Sequence, residues 1–193
     1  DDMLKAARII KDKEPGVGTF VADLSIQAQV RRLAAEVLAR YPRLDVLVNN
    51  AGAMYATREV TADGMERTWA LNHLAPFLLT NLLLDRLKES GPSRIITTAS
   101  EAHQGAHIPF EDLNAERGYR SFARYKQTKL ANILFTRELV RRLEGTSVTA
   151  HCFHPGLVAS GFNRNNGLFM EVGMWVLKPV SRSPEQGARN LVW

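Results

Sequence analysis

The chain has 193 residues, 45% hydrophobic and 23% charged, with 25 Lys and Arg against 20 Asp and Glu for a formal charge of +5. This composition suits one globular core and excludes a mostly disordered chain, while the single cysteine, Cys152, excludes a disulfide scaffold and fits a reducing, cytoplasmic setting. No apolar run is long enough to span a bilayer, the opening Asp1-Asp2 does not resemble a secretory leader, and the basic surplus is interleaved with Glu36, Glu138 and Glu144 rather than gathered for nucleic acid.

Residues 2–13 have a helical period, with Leu4, Ala7 and Ile10 on one side. Pro15-Gly16 marks a turn, and residues 17–22 read as a short strand running into Asp23-Leu24. Ser25 is placed to cap a helix over 26–41, whose apolar stripe is Val30, Leu33, Ala34, Val37 and Leu38 and which Pro42 stops. The continuous apolar run of 44–48 suits a strand buried on both faces, and Asn49-Asn50-Ala51-Gly52 follows as a tight loop. A long helix spans 62–88 and ends at Ser90-Gly91-Pro92. Residues 94–98 form the next strand, leaving through Ala99-Ser100 into a polar loop over 101–118. A helix over 119–143 stops at Gly145, and a strand over 147–153 turns off at His154-Pro155-Gly156. The segment 157–179 is irregular and then briefly helical, and Ser183-Pro184-Glu185 opens a last helix.

Strands thus alternate with helices, and the crossovers are long enough for parallel pairing. The expectation is a single α/β domain built on an open, doubly wound parallel sheet, with no fixed-period repeat. Ligands of such sheets bind at the carboxyl ends of the strands. The loops there are 23–24, 49–52, 99–100 and 154–156, and they hold most of the chemically unusual residues.

Tyr125 and Lys129 form Y-x-x-x-K within a helix, so both side chains share one face. An ammonium beside a phenol favours phenolate, which predicts a Tyr125 pKa below the usual value near ~10 and a group able to give and take a proton. Ser100 stands where a strand yields to a loop, placed to hydrogen-bond a substrate oxygen; no G-x-S-x-G elbow makes it a nucleophile. The small residues of Asn49-Asn50-Ala51-Gly52 allow a ligand close to the backbone. Asn72, unfavourable in mid-helix, is a candidate to hold a water through its amide or carbonyl. His103 and His107 lie in the polar loop, either facing substrate or on the surface. His151, Cys152 and His154 do not make a zinc site, because strand alternation divides them and no second ligand pair follows; no metal is expected.

In this order, Asp45-Val-Leu-Val-Asn-Asn-Ala-Gly, Asn72, Ser100, Tyr125-x-x-x-Lys129 and Pro155-Gly156 resemble the short-chain dehydrogenase/reductase family. Thr61-Ala-Asp-Gly, Leu71-Asn-His-Leu-Ala-Pro-Phe-Leu-Leu-Thr, Ser93-Arg-Ile-Ile, Lys129-Leu-Ala-Asn-Ile-Leu-Phe, His154-Pro-Gly and the long interval between Ser100 and Tyr125 resemble its retinol dehydrogenase-like branch. The resemblance implies a Rossmann-type three-layer αβα fold and an NAD(P)-dependent oxidoreductase interconverting an alcohol and a carbonyl. It implies that Tyr125 is the general acid and base, that Lys129 tunes it and binds the nicotinamide ribose, that Ser100 orients the substrate oxygen and that Asn72 holds a relay water. Asp23 and Leu24 would contact adenine, Asn50, Ala51 and Gly52 the adenosine side, and Pro155, Gly156, Val158 and Ser160 the nicotinamide. Residues 157–182 would be the substrate flap, whose apolar composition implies a hydrophobic substrate.

The family's glycine-rich fingerprint, which follows its first strand, is absent from this sequence, since Gly16-Val-Gly18 precedes a strand; the fold is expected to lack its first βα unit. The resemblance also implies a homodimer or homotetramer built on the helices over 62–88 and 119–143, with NADP slightly favoured over NAD. Two other readings stand beside the dehydrogenase: a nucleotide-sugar epimerase or dehydratase using the same Tyr–Lys pair, and a non-catalytic nucleotide-binding module.

Overall fold

The computed structural model describes residues 8, 12, 16–156 and 183–189. The expected first helix and the flap over 157–182, with Val158 and Ser160, lie outside the described residues. Helix α1 (Gln27–Arg40) leads to β1 (Val46–Asn49). A helical turn α2 (Arg67–Trp69), a π-turn (Ala70–Leu74) and α3 (Ala75–Ser90) then run end to end into β2 (Ser93–Thr98). Two 3-10 turns, Glu101–His103 and Phe110–Asp112, interrupt the polar loop before α4 (Ser121–Arg142), β3 (Val148–Phe153) and α5 (Pro184–Ala188).

The strands form a parallel sheet in the order β1-β2-β3, with Val46 opposite Arg94 and Ile95 opposite Ala150. Alternate strand positions point to one face, where Ile95, Val148 and Ala150 meet Ala34 of α1, Leu83 and Leu87 of α3, and Leu139 and Leu143 at the end of α4. A second cluster of Trp69, Ile108 and Ala131 joins the polar loop to α2 and α4. The expectation that β1 is buried on both faces is corrected: Val46 and Val48, on the other face, are 50% and 42% exposed.

Three further expectations change. Residues 17–22 are irregular rather than a strand. A strand needs ladder partners, and this segment instead lies along α1: the Val21 carbonyl accepts from the Arg32 guanidinium at 2.7 Å and Phe20 packs edge-on against Tyr41. Ser25 is not the cap of α1. It is buried, its hydroxyl donates to Asp23 at 2.7 Å, and the Asp63 carboxylate accepts the Gln27 N–H at 2.7 Å. A charged acceptor satisfies a helix N-terminus better than a hydroxyl, and it can come from distant sequence.

The helix expected from residue 62 begins after Glu66. Gly64 is in the left-handed region at φ +76°, and a tight turn from Thr61 to Gly64 feeds an isolated bridge between Val60 and Glu66. Glu66 then caps α2, its carboxylate accepting from the Thr68 and Trp69 N–H groups at 2.8 and 2.9 Å. Pro76 supplies no N–H to the carbonyl four residues back, that of Asn72, and the ladder loosens into the π-turn that contains Asn72.

Candidate functional site

Helix α4 changes character along its length. Its C-terminal part gives Leu139 to the main core, whereas its N-terminal part buries Arg124, Thr128, Lys129 and Asn132. Buried polar side chains need partners: Lys129 finds one at the carboxyl end of β2, Thr128 and Asn132 in the π-turn, and Arg124 in Glu66 just before α2. The Ser100 side chain lies close enough to the Tyr125 phenol to favour its ionised form. Ser100 follows β2 and opens the first 3-10 turn, where its Oγ accepts from the Ala102 N–H at 3.2 Å. Lys129 is 4% exposed; its Nζ donates to the Thr98 carbonyl at 2.9 Å and lies 5.5 Å from the centroid of the Tyr125 ring. Ser100, Tyr125 and Lys129 are thus brought together.

The expected depression of the Tyr125 pKa is corrected. Burial pushes it above the usual tyrosine value, and the neighbouring Ser100 side chain offsets only part of that rise. The ammonium of Lys129 is aimed at a strand carbonyl, and burial lowers its own pKa from 10.5 to about 8.

Asn72 is also drawn in, and its side chain is engaged by protein groups. Its Oδ1 accepts from the Ala53 N–H at 2.9 Å, and its Nδ2 donates to the Ala53 carbonyl at 2.8 Å and to Thr128 Oγ1 at 3.3 Å. It thereby pins the end of the loop after β1. A Cβ added to Gly52 would stand 3.2 Å from Asn72 Oδ1 and 3.9 Å from Lys129 Nζ, so this backbone lies hard against the site. Asn50 and Ala51 are exposed at the strand end, with Asn50 Oδ1 accepting from Thr98 Oγ1 at 2.9 Å. Asn49 is buried and ties β1 to α3 through Thr80 at 3.0 Å.

The remaining expected residues lie around this centre. Pro155 and Gly156 are half-buried just beyond β3, where Gly156 takes φ +83°, a conformation suited to glycine. Asp23 and Leu24 precede α1. The Asp23 hydrogen bonds stay within that turn and helix, to Ser25 and Gln29, while Leu24 lines a small apolar cleft with Val30, Met65 and Leu78. His103 donates to the Ser100 carbonyl at 2.7 Å, and His107 is exposed.

These residues suit the nicotinamide-ribose end of a dinucleotide: exposed small residues after β1, a glycine backbone against the site, and a buried lysine beside the tyrosine. Sequence reading missed Thr98, whose carbonyl and hydroxyl serve Lys129 and Asn50, and Asn132 beside the π-turn. It also missed the ion pair of Glu66 and Arg124 at 2.6 Å, buried on both sides. The available signal was polarity repeating at helical spacing through Arg124, Thr128, Lys129 and Asn132.

A family model described as short chain dehydrogenase matches residues 1–170. The chain therefore belongs to the short-chain dehydrogenase family and has its Rossmann-type α/β fold. Within that family it is retinol dehydrogenase-like. It is 50% identical over 143 residues to retinol dehydrogenase 14 of Mus musculus, covering 74% of this chain and 43% of that protein. It is 46% identical over 169 residues to retinol dehydrogenase 12 of Mus musculus, covering 87% of this chain and 53% of that protein. The chain thus spans about half the length of the curated relatives it matches. Among solved structures, it is similar to the RhlG/NADP active-site complex of Pseudomonas aeruginosa, with 31% identity and a TM-score of 0.58, covering 74% of this chain and 54% of that one.

Proposed function

We propose that the protein is an NAD(P)-dependent oxidoreductase that interconverts an alcohol and a carbonyl on a hydrophobic substrate, with Tyr125 as general acid and base. The observation that carries this reading is the buried Lys129 ammonium 5.5 Å from the Tyr125 ring, with the Ser100 side chain beside the phenol. Loop residues Asn50, Ala51 and Gly52, with Lys129, Pro155 and Gly156, hold the nicotinamide nucleotide, which supplies hydride transfer when bound. Asp23, Leu24, Val158 and Ser160 are assigned to the same nucleotide on family resemblance alone. NADP is preferred because relatives' structures carry it, as in the RhlG complex.

Ser100 Oγ binds the substrate oxygen and stabilises charge on it. Tyr125 donates its proton to that oxygen in reduction and takes one from the alcohol in oxidation. Burial keeps the phenol protonated at neutral pH, which suits the reductive direction. Lys129 keeps a positive charge near the ring below pH of about 8. Asn72 acts by fixing the loop at Ala53, as well as by any water its surroundings admit. Phe122 supports the hydrophobic substrate: it is 59% exposed, and its ring stacks near Tyr125 with centroids 6.5 Å apart. It lies one turn before Tyr125, whereas Lys129 lies one turn after it, so nucleotide and substrate approach from opposite ends of this stripe. Exposed Phe77 on α3 and Leu134 on α4 support a homodimer or homotetramer through these helices, and the single free thiol of Cys152 supports a reducing, cytoplasmic compartment.

The test uses the full-length protein with NADPH or NADH and a panel of medium-chain and aromatic aldehydes, following nicotinamide absorbance. Tyr125→Phe is expected to lower turnover by about 10²-fold or more while nucleotide still binds. Equal turnover by this variant sinks the assignment, and nucleotide binding without any turnover in the native protein favours a non-catalytic module.

A further inference from the structure

Asn132 is 2% exposed and lies on the same face of α4 as Lys129, one turn further on. Its Nδ2 donates to the Asn72 carbonyl at 2.9 Å, and its Oδ1 faces His73 Nδ1 at 3.1 Å. A carbonyl can only accept, so the amide nitrogen must face Asn72 and the amide oxygen must face His73. His73 Nδ1 therefore carries a proton and donates it. The Asn72 carbonyl is the one that Pro76 deprives of its helical donor, and Asn132 fills that place from another element. Without it a buried acceptor in the π-turn would lack this partner, and the turn would gain by rotating that carbonyl towards another donor or solvent.

Rotation at this turn would not stay local. The Asn72 amide brackets both backbone groups of Ala53 and touches Thr128, whose hydroxyl donates to the Tyr125 carbonyl at 2.7 Å. We infer that Asn132 is a positioning residue: together with Pro76 it locks the π-turn so that Asn72 holds the 50–53 loop against Lys129, setting the width of the nucleotide cleft. This inference rests on the dinucleotide reading above. Asn132 touches no reacting atom in this scheme, and its effect is expressed through Asn72.

The experiment measures NADPH and NADH affinity by fluorescence, together with thermal unfolding, on the full-length protein. Asn132→Asp keeps the shape and the acceptor for His73 but loses the donor to Asn72, and it is expected to bind nucleotide about 10-fold more weakly or worse. Asn132→Leu, which loses both groups, is expected to do the same and to unfold at lower temperature. Adding Pro76→Ala to Asn132→Leu restores a backbone N–H for the Asn72 carbonyl. That double variant is expected to recover the unfolding midpoint but not the affinity, because a regular helix turns Asn72 away from Ala53. Affinity within twofold of the native protein in Asn132→Asp overturns the inference, as does recovery of both properties in the double variant. A native protein that binds neither nucleotide sinks the dinucleotide reading and this inference with it, whereas native binding with unaffected variants sinks the inference alone.

Discussion

Replacing Lys129 by methionine should make the protein more stable and inactive. The ammonium is buried, and its one hydrogen-bond partner among the described residues is the Thr98 carbonyl, a neutral group. A lysine pKa of 10.5 that falls to about 8 in the fold means that folding disfavours the charged form. At about 1.4 kcal/mol for each tenfold change in proton affinity, that is about 3 kcal/mol. The unfolded chain binds more protons than the folded one between pH 8 and 10.5, so this contribution to stability improves as pH rises through that window. Below the folded pKa the full cost is present, and above the unfolded pKa it vanishes. Methionine removes the cost and forfeits a hydrogen bond worth about 1 kcal/mol. The variant should therefore be about 2 kcal/mol more stable at pH 7, with the advantage shrinking and then reversing towards pH 10.5. Urea unfolding of both proteins across this range measures the difference, and titrations common to both cancel. A variant less stable at pH 7, or a difference that does not change with pH, would refute the reasoning.

Two more outcomes follow from the surroundings of Tyr125. Arg124→Met strands the buried Glu66 carboxylate with only the Thr68 and Trp69 N–H groups and is expected to cost about 3–5 kcal/mol in urea unfolding. Adding Glu66→Gln should recover about half of that loss, and additive costs would show that the two residues are not coupled. Phe122→Ala is expected to lower kcat/KM about 10-fold for long-chain and aromatic aldehydes while leaving a three-carbon aldehyde within about twofold. A uniform loss across the panel would remove Phe122 from the substrate path.

Much of the layout was legible because it rests on local signals. A continuous apolar run marked β1, short segments bounded by turn residues marked β2 and β3, and the spacing of Tyr125 and Lys129 placed both on one helical face whatever they packed against. Ser100 followed from the end of a strand. The errors arose where distant partners decide. Residues 17–22 have strand-like composition, but the Arg32 side chain and Tyr41 hold them beside α1. Ser25 is a good cap by type, yet Asp63 arrives from the following loop to do that work. The Tyr125 pKa depends on how deeply the ring is buried and where Lys129 points, and neither is written in a four-residue spacing. Asn132 was hidden for the same reason, since its importance comes from a proline on another helix.

The Arg124 guanidinium joins pieces of chain that are otherwise remote. It pairs with Glu66, donates to the Leu113 carbonyl, reaches Gln127 at 3.2 Å and lies over the Trp69 ring at 4.6 Å. Asn114 beside it accepts from the Glu66 N–H at 3.1 Å and, through its own carbonyl, from Arg58 at 3.0 Å. These segments consequently form a stiff frame, and the rings of Phe110 and Phe122 on its flanking elements are exposed. On the proposed function, exchanging the Phe122 ring alters the substrate path while leaving this frame alone.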